Sequence, residues 1–183
     1  GLLMKALLVV DVQNDFCPGG ALGTPEGDKV VPVINNIMDE FDLVLASRDW
    51  HPEDSVHFNQ WPPHCVRNTK GAEYHPDLNT NKFSQELFKG TGNKDDGYSA
   101  FEATNINLVD YLKEKNVDEL YISGLTTEYC VKQTTLDALK HQFNTYLVVD
   151  GVEGVRAKPD DPQKAIEDMK EKGAKPITAD EIK

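Results

Sequence analysis

Short apolar runs alternate along this chain with polar, Gly- and Pro-rich loops and with segments of helical period. Residues 6–10 (ALLVV) form a continuous apolar run of strand length, the pattern of a strand buried on both faces. After a long loop over 11–28, Pro32, Val33, Ile34, Ile37, Met38 and Phe41 recur at helical spacing, with the proline in the first turn, where its missing N–H is not needed. Residues 43–46 (LVLA) read as a second strand, 83–88 as a weaker third, 120–123 (LYIS) as a fourth, 146–149 (YLVV) as a fifth and 175–178 as a short sixth. Leu108, Val109 and Leu112 mark a helix, and 129–141 another. Asp161 as N-cap, Pro162 at the first helical position and Gly173 past the end punctuate the last one. Strands alternating with helices predict βαβ units on a parallel sheet.

Composition narrows the class. At 183 residues the chain fits one domain, 1–183, with a core that needs no disulfide. The net charge of −12 argues against a nucleic-acid partner and against docking on anionic lipid. No apolar run approaches the ~18 residues a membrane span needs. Cys17, Cys65 and Cys130 are odd in number and widely spaced, so reduced thiols and a cytoplasmic setting are expected. The apolar start GLLMKALLVVD runs into an acidic loop without a small-residue cleavage site, unlike a signal peptide. Met4-Lys5 reads as a natural start, with 1–3 as a cloning remnant.

The densest chemistry lies in 47–65, SRDWHPEDSVHFNQWPPHC. It holds Asp49, His51, His57 and His64, with three of the chain's 5 histidines. Carboxylate and imidazole are donors that zinc, manganese and ferrous iron accept. A polar, His-rich surface loop is the competing reading. Cys65 is not expected as a fifth ligand, because an extended segment points it away from its neighbour His64.

Other reactive residues follow the ends of separate strands: Asp11 the first, Asp49 the second, Lys89 the third, and Thr126, Thr127 and Cys130 the fourth. Open α/β sheets bind ligands outside the carboxyl ends of their strands. An acid, a metal cluster, a lysine and a thiol are thus delivered to one rim. Asp11 suits a general acid/base. Lys89 would hold Asp11 ionised and stabilise negative charge in the transition state. Cys130, near a helix start, is expected to have its thiolate favoured and free N–H groups beside it for an oxyanion. Taken singly, each has a plainer reading: a turn-capping Asp, a solvated Lys, a buried structural Cys. Phe16, Trp61 and Tyr98 lie on the same loops and together could sandwich a flat ring.

The segments ALLVVDVQNDFCPGGAL, SRDWHPEDSVHF, WPPHCVRNTKGAEYHP, FKG followed by GYSAFE, and GLTTEYCVKQTTLDAL resemble the nicotinamidase/pyrazinamidase family of isochorismatase-like cysteine hydrolases. The resemblance runs from Lys5 to about Ile182. Isochorismatases proper share the first strand but lack the thiol and the Asp-His cluster. The resemblance implies a three-layer α/β fold, Rossmann-like, with a six-stranded, mostly parallel sheet and helices on both faces. It implies a triad of Asp11, Lys89 and Cys130, an oxyanion hole from Thr126 and Cys130, and substrate contacts from Phe16, Trp61, Tyr98 and Leu125. It implies one divalent ion, zinc before manganese or iron, on Asp49, His51, His57 and His64, and a cis peptide between Leu125 and Thr126. The family often has Ala where Thr126 stands, which alters the wall beside the amide. Residues 91–96 vary within it and are assigned no role.

The activity implied is hydrolysis of nicotinamide to nicotinate and ammonia through a cysteine thioester, in NAD salvage, with pyrazinamide as a further substrate. The partner implied is that small molecule, with no nucleic acid or membrane and with self-association left open. A related cysteine amidohydrolase acting on N-carbamoyl or ureido compounds is the alternative. A non-catalytic metal-binding protein on the same scaffold would need a broken triad.

Overall fold

The computed structural model describes residues 3–183; residues 1–2 of the expected remnant lie outside the described residues. Its strands are β1 (Lys5–Val10), β2 (Leu43–Asp49), β3 (Gln85–Lys89), β4 (Glu119–Leu125), β5 (Asn144–Glu153) and β6 (Lys175–Ile177). They form a 6-stranded sheet in the order β3-β2-β1-β4-β5-β6, and every ladder is parallel. The connections leave β1 toward one edge and β4 toward the other. The crevice between the carboxyl ends of β1 and β4 is therefore the topological switch point, where such sheets bind ligands.

Side chains alternate across β1. Ala6, Leu8 and Val10 join an apolar cluster with Leu108 and Leu112 of α2 (Leu108–Glu114), Ala138 of α3 (Lys132–Lys140) and Met169 of α4 (Asp161–Glu171). Leu7 and Val9 join a second cluster with Val30, Ile34 and Ile37 of α1 (Val30–Ile37) and Ala179 of α5 (Ala179–Ile182). Helices thus cover both faces, which is why β1 reads as an unbroken apolar run. Among the described residues, no helix is long and apolar enough to cross a membrane.

The element boundaries differ from the sequence expectation in ways that matter for the site. β2 runs on through Ser47 and Arg48 to Asp49, and β3 starts at Gln85, two residues late, and ends on Lys89. Polar residues obscure both ends, because they turn toward the rim rather than the core. The expected 129–141 helix is two pieces: a π-helical turn, Thr127–Val131, and then α3. The Thr126 carbonyl accepts from the N–H groups of both Tyr129 and Val131, which sets the wider turn. The cis peptide between Leu125 and Thr126 is present. Just before it, Gly124 has φ 109° and packs on the Val10 backbone so closely that any Cβ would collide with it.

The exposed edge of β3 is not left open. The Asn105 side chain donates to the Glu86 carbonyl (2.9 Å) and accepts from the Phe88 N–H (3.0 Å), standing in for a neighbouring strand.

Candidate active site

Four strand ends deliver the expected residues to one place. Asp11 is the first residue past β1, with φ 51°, and this turn swings its carboxylate under the crevice. Ser47 Oγ donates to Asp11 Oδ1 at 2.8 Å. Lys89, at the end of β3, is fully buried. Its Nζ donates to Asp49 Oδ1 (2.5 Å), to the Gly97 carbonyl (2.5 Å) and to Cys130 Sγ (3.4 Å). It also lies 2.7 Å from Asp11 Oδ2, so one ammonium bridges both carboxylates. Asp11, Asp49 and Cys130 lie together, their ligand atoms within 4.8 Å of one another. Asp49 also faces His51 and His64, which leaves Asp11 as the carboxylate given over to the thiol.

The electrostatics separate the two carboxylates. Burial pushes the Asp11 carboxyl up; Lys89 opposes this and the negative Asp49 reinforces it. Burial would raise Asp49 too, but the Lys89 ammonium outweighs it and holds Asp49 well below the usual carboxylate range. One carboxylate is locked ionised and the other is made more basic, an arrangement suited to acid/base work by Asp11. Lys89 is held well above its ordinary value: burial opposes its charge, and Asp11, Asp49 and the thiol overcome that.

The thiol departs from expectation. Burial pushes the Cys130 thiol well above the ordinary range; Lys89 pulls it down, and Asp11 and Asp49 push it further up. Position at a helix start does not offset this: burial is the largest cause, and it favours the protonated thiol, which as a nucleophile would call for a base.

The histidines converge as a second cluster. His51, His57 and His64 are all buried, with ligand nitrogens within 4.8 Å of one another. His51 Nδ1 lies 3.0 Å from the Gly90 carbonyl, His64 Nδ1 2.7 Å from the Pro62 carbonyl and His57 Nδ1 2.7 Å from Asp95 Oδ1. Each partner only accepts, so each Nδ1 carries the proton and each Nε2 presents a lone pair. Burial holds His57 below the ordinary imidazole range, against the pull of Asp95, which keeps it neutral. His51 Nε2 is buried without a hydrogen bond, 3.3 Å from Asp49 Oδ2; His64 Nε2 is 3.7 Å from the same oxygen. Acceptors facing acceptors in a buried site call for a cation among them. The donor set, three neutral imidazoles and a carboxylate, fits a divalent transition metal.

Several residues that the sequence did not single out build this geometry. Gln13 grips the Asp49 backbone from both sides, its amide oxygen accepting from the N–H and its amide nitrogen donating to the carbonyl, each at 2.9 Å. Gly90, with φ 65°, lets its carbonyl reach His51; a Cβ there would run into the ring. Asp15 Oδ2 accepts from the Cys65 N–H (2.8 Å), which sets the segment beside His64. Cys65 itself is fully buried in the apolar cluster beneath α1. Asp95 lies in 91–96, to which no role was assigned. Its only sequence signal is an acid on the loop that leaves β3, beside Gly97-Tyr98.

Both clusters open on one cavity of about 270 Å³. Asp49, His57, His64, Thr126 and Cys130 face it, and Phe16, Leu22, Trp61, Tyr98, Tyr129 and Val155 supply its apolar walls. Phe16 stands 5.5 Å from the His64 ring, and Trp61 Nε1–H donates to the Tyr98 hydroxyl at 3.0 Å. Leu125, expected beside the substrate, does not line the cavity. Its side chain is fully buried in the apolar cluster beneath α1, because it is the last residue of β4 and points to that face.

The comparisons with known proteins agree with this geometry. The isochorismatase domain family matches residues 5–181. A nicotinamidase from Escherichia coli is 39% identical, over 93% of this chain and 92% of its own. A nicotinamidase/pyrazinamidase from Mycobacterium tuberculosis is 37% identical over 91% and 95%. The crystal structure of a pyrazinamidase of Pyrococcus horikoshii in complex with zinc superposes with a TM-score of 0.86 at 45% identity, covering 95% of this chain and 98% of that one. Sheet order, strand-end chemistry and near full-length similarity lead to one conclusion: the chain belongs to the isochorismatase domain family of hydrolases.

Proposed function

We propose that this chain is an amidase that hydrolyses nicotinamide to nicotinate and ammonia, and pyrazinamide by the same route, a step of NAD salvage. The relatives from Escherichia coli and Mycobacterium tuberculosis carry these activities in their names. The observation that carries the reading is the single cavity lined by the Cys130 thiol, by Asp49 and by His57 and His64, two of the three imidazoles whose ligand nitrogens converge.

Asp49, His51, His57 and His64 would hold one divalent ion. Zinc is the first choice, since the Pyrococcus horikoshii relative was solved with it, and manganese or iron meets the same donor set. When bound, such an ion supplies a Lewis-acidic anchor for an uncharged ring nitrogen. Phe16 and Trp61 then face the ring, and Tyr98 fixes Trp61 by its hydroxyl.

Asp11 Oδ2 takes the proton from Cys130 Sγ, and the sulfur attacks the carboxamide carbon. The Lys89 ammonium, 3.4 Å from the sulfur, steadies the thiolate as it forms. The N–H groups of Thr126 and Cys130 receive the oxyanion. Asp11 returns the proton to the amide nitrogen, the C–N bond breaks, and ammonia leaves behind a thioester. Asp11 then draws a proton from water, whose oxygen attacks the thioester carbonyl. Nicotinate departs and Cys130 recovers its proton.

No lysine or arginine lines the cavity among the described residues, and its walls are apolar. That favours a flat, uncharged aromatic amide over N-carbamoyl amino acids, which have no ring for the aromatic walls to hold. The test is ammonia release from nicotinamide, with and without chelator, for the wild type and Cys130→Ala. The wild type should turn over and lose activity with chelator, and Cys130→Ala should be inactive. Turnover by Cys130→Ala well above background would end the covalent scheme.

A further inference from the structure

The three histidines are not held alike. His51 and His64 direct Nδ1–H to backbone carbonyls, which the fold itself fixes. His57 sits on an isolated 3-10 turn, Val56–Asn59, whose first residue is 41% exposed. Two side chains from 91–96 hold that turn: Asn93 Oδ1 accepts from the Val56 N–H at 2.7 Å, and Asp95 Oδ1 accepts from His57 Nδ1 at 2.7 Å. The same Asp95 oxygen accepts from the Tyr98 hydroxyl at 2.9 Å, and the Tyr98 oxygen accepts from Trp61 Nε1–H at 3.0 Å.

We infer that Asp95 is a positioning residue that fixes His57 as a metal ligand and ties it, through Tyr98, to Trp61 on the cavity wall. This rests on the reading of His57 as a ligand. A carboxylate on Nδ1–H fixes the tautomer, aims the Nε2 lone pair at the cluster and raises the basicity of the ring. Because one oxygen serves both His57 and Tyr98, withdrawing it disturbs the metal cluster and the ring-binding wall together. Asp95 is 43% exposed at its side chain, so removing it opens no cavity in the core.

The test uses the full-length, metal-free chain and zinc alone, titrated against a competing chelator, in wild type, Asp95→Ala, Tyr98→Phe and His57→Ala. Asp95→Ala should weaken zinc binding by roughly 10- to 100-fold, the range for losing an outer partner of a ligating histidine. Tyr98→Phe should leave zinc affinity where it was and raise KM for nicotinamide. At saturating zinc, Asp95→Ala should recover kcat while keeping a raised KM, a split that general destabilisation would not produce. If Asp95→Ala binds zinc as tightly as wild type while His57→Ala binds it weakly, the inference is wrong and the ligand assignment stands. Were His57→Ala also to bind like wild type, His57 would not be a ligand, and both would fall.

Discussion

Lys89 sits fully buried between two carboxylates, and it links the nucleophile set to the histidine cluster. Lys89→Met would leave Asp11 and Asp49 buried without their counter-ion, and should cost about 3–5 kcal/mol of unfolding free energy. Urea denaturation measures this; a loss below ~1 kcal/mol, the scale of a surface pair, would show that the lysine is not the keystone. Ser47→Ala removes the hydrogen bond to Asp11 Oδ1, which favours the charged form. The Asp11 pKa should rise further, so the acid limb of the kcat/KM profile should move to higher pH. At this scale the sequence was informative about identity and silent about state. Asp11, Lys89 and Cys130 were legible because each follows a strand. That Cys130 is a thiol in need of a base was not, because burial and two nearby carboxylates exist only after folding.

At the scale of elements, the site hangs on loops that other elements pin. Glu128, in the π-helical turn that carries Cys130, accepts from the N–H groups of Val155 (2.9 Å) and Arg156 (2.8 Å), and so fixes the loop after β5 that bears one cavity wall. Glu128→Ala should cost about 1.5–3 kcal/mol, as hydrogen bonds to a charged group do. It should also raise KM for nicotinamide more than it lowers kcat, with zinc content unchanged by elemental analysis. An unaltered KM would show that the Val155 wall holds itself. Strands were easier to read than this turn: Leu7 to Val10 advertise two buried faces, whereas the π turn follows from how the Thr126 carbonyl is shared between Tyr129 and Val131.

For the whole molecule, metal and pH are the levers. If zinc binds the folded chain alone, zinc at a hundred times its Kd should add about 2.7 kcal/mol of stability to the chelated protein. Scanning calorimetry reads this, and an unmoved Tm would count against a preformed site. At high pH the sheet end far from the site should yield. Burial and the nearby Glu119 push Tyr121 up to about 12. Its folded pKa is raised, so its contribution is full below the unfolded value of about 10 and is lost as pH rises through the folded one. Stability should therefore decline over that alkaline window, and less steeply in Tyr121→Phe.

The sequence by itself determined the layered α/β class, the rim on which the chemistry collects, and the residues that form it. Periodicity and strand ends are local properties of a chain, and a parallel sheet gathers its strand ends at one edge whatever the loops do. Only the tertiary structure decided that the two rim carboxylates share one buried lysine, that Leu125 belongs to the core, and that Asp95 from an unassigned loop holds His57. Those outcomes depend on burial, on which donors are already used, and on contacts between segments dozens of residues apart.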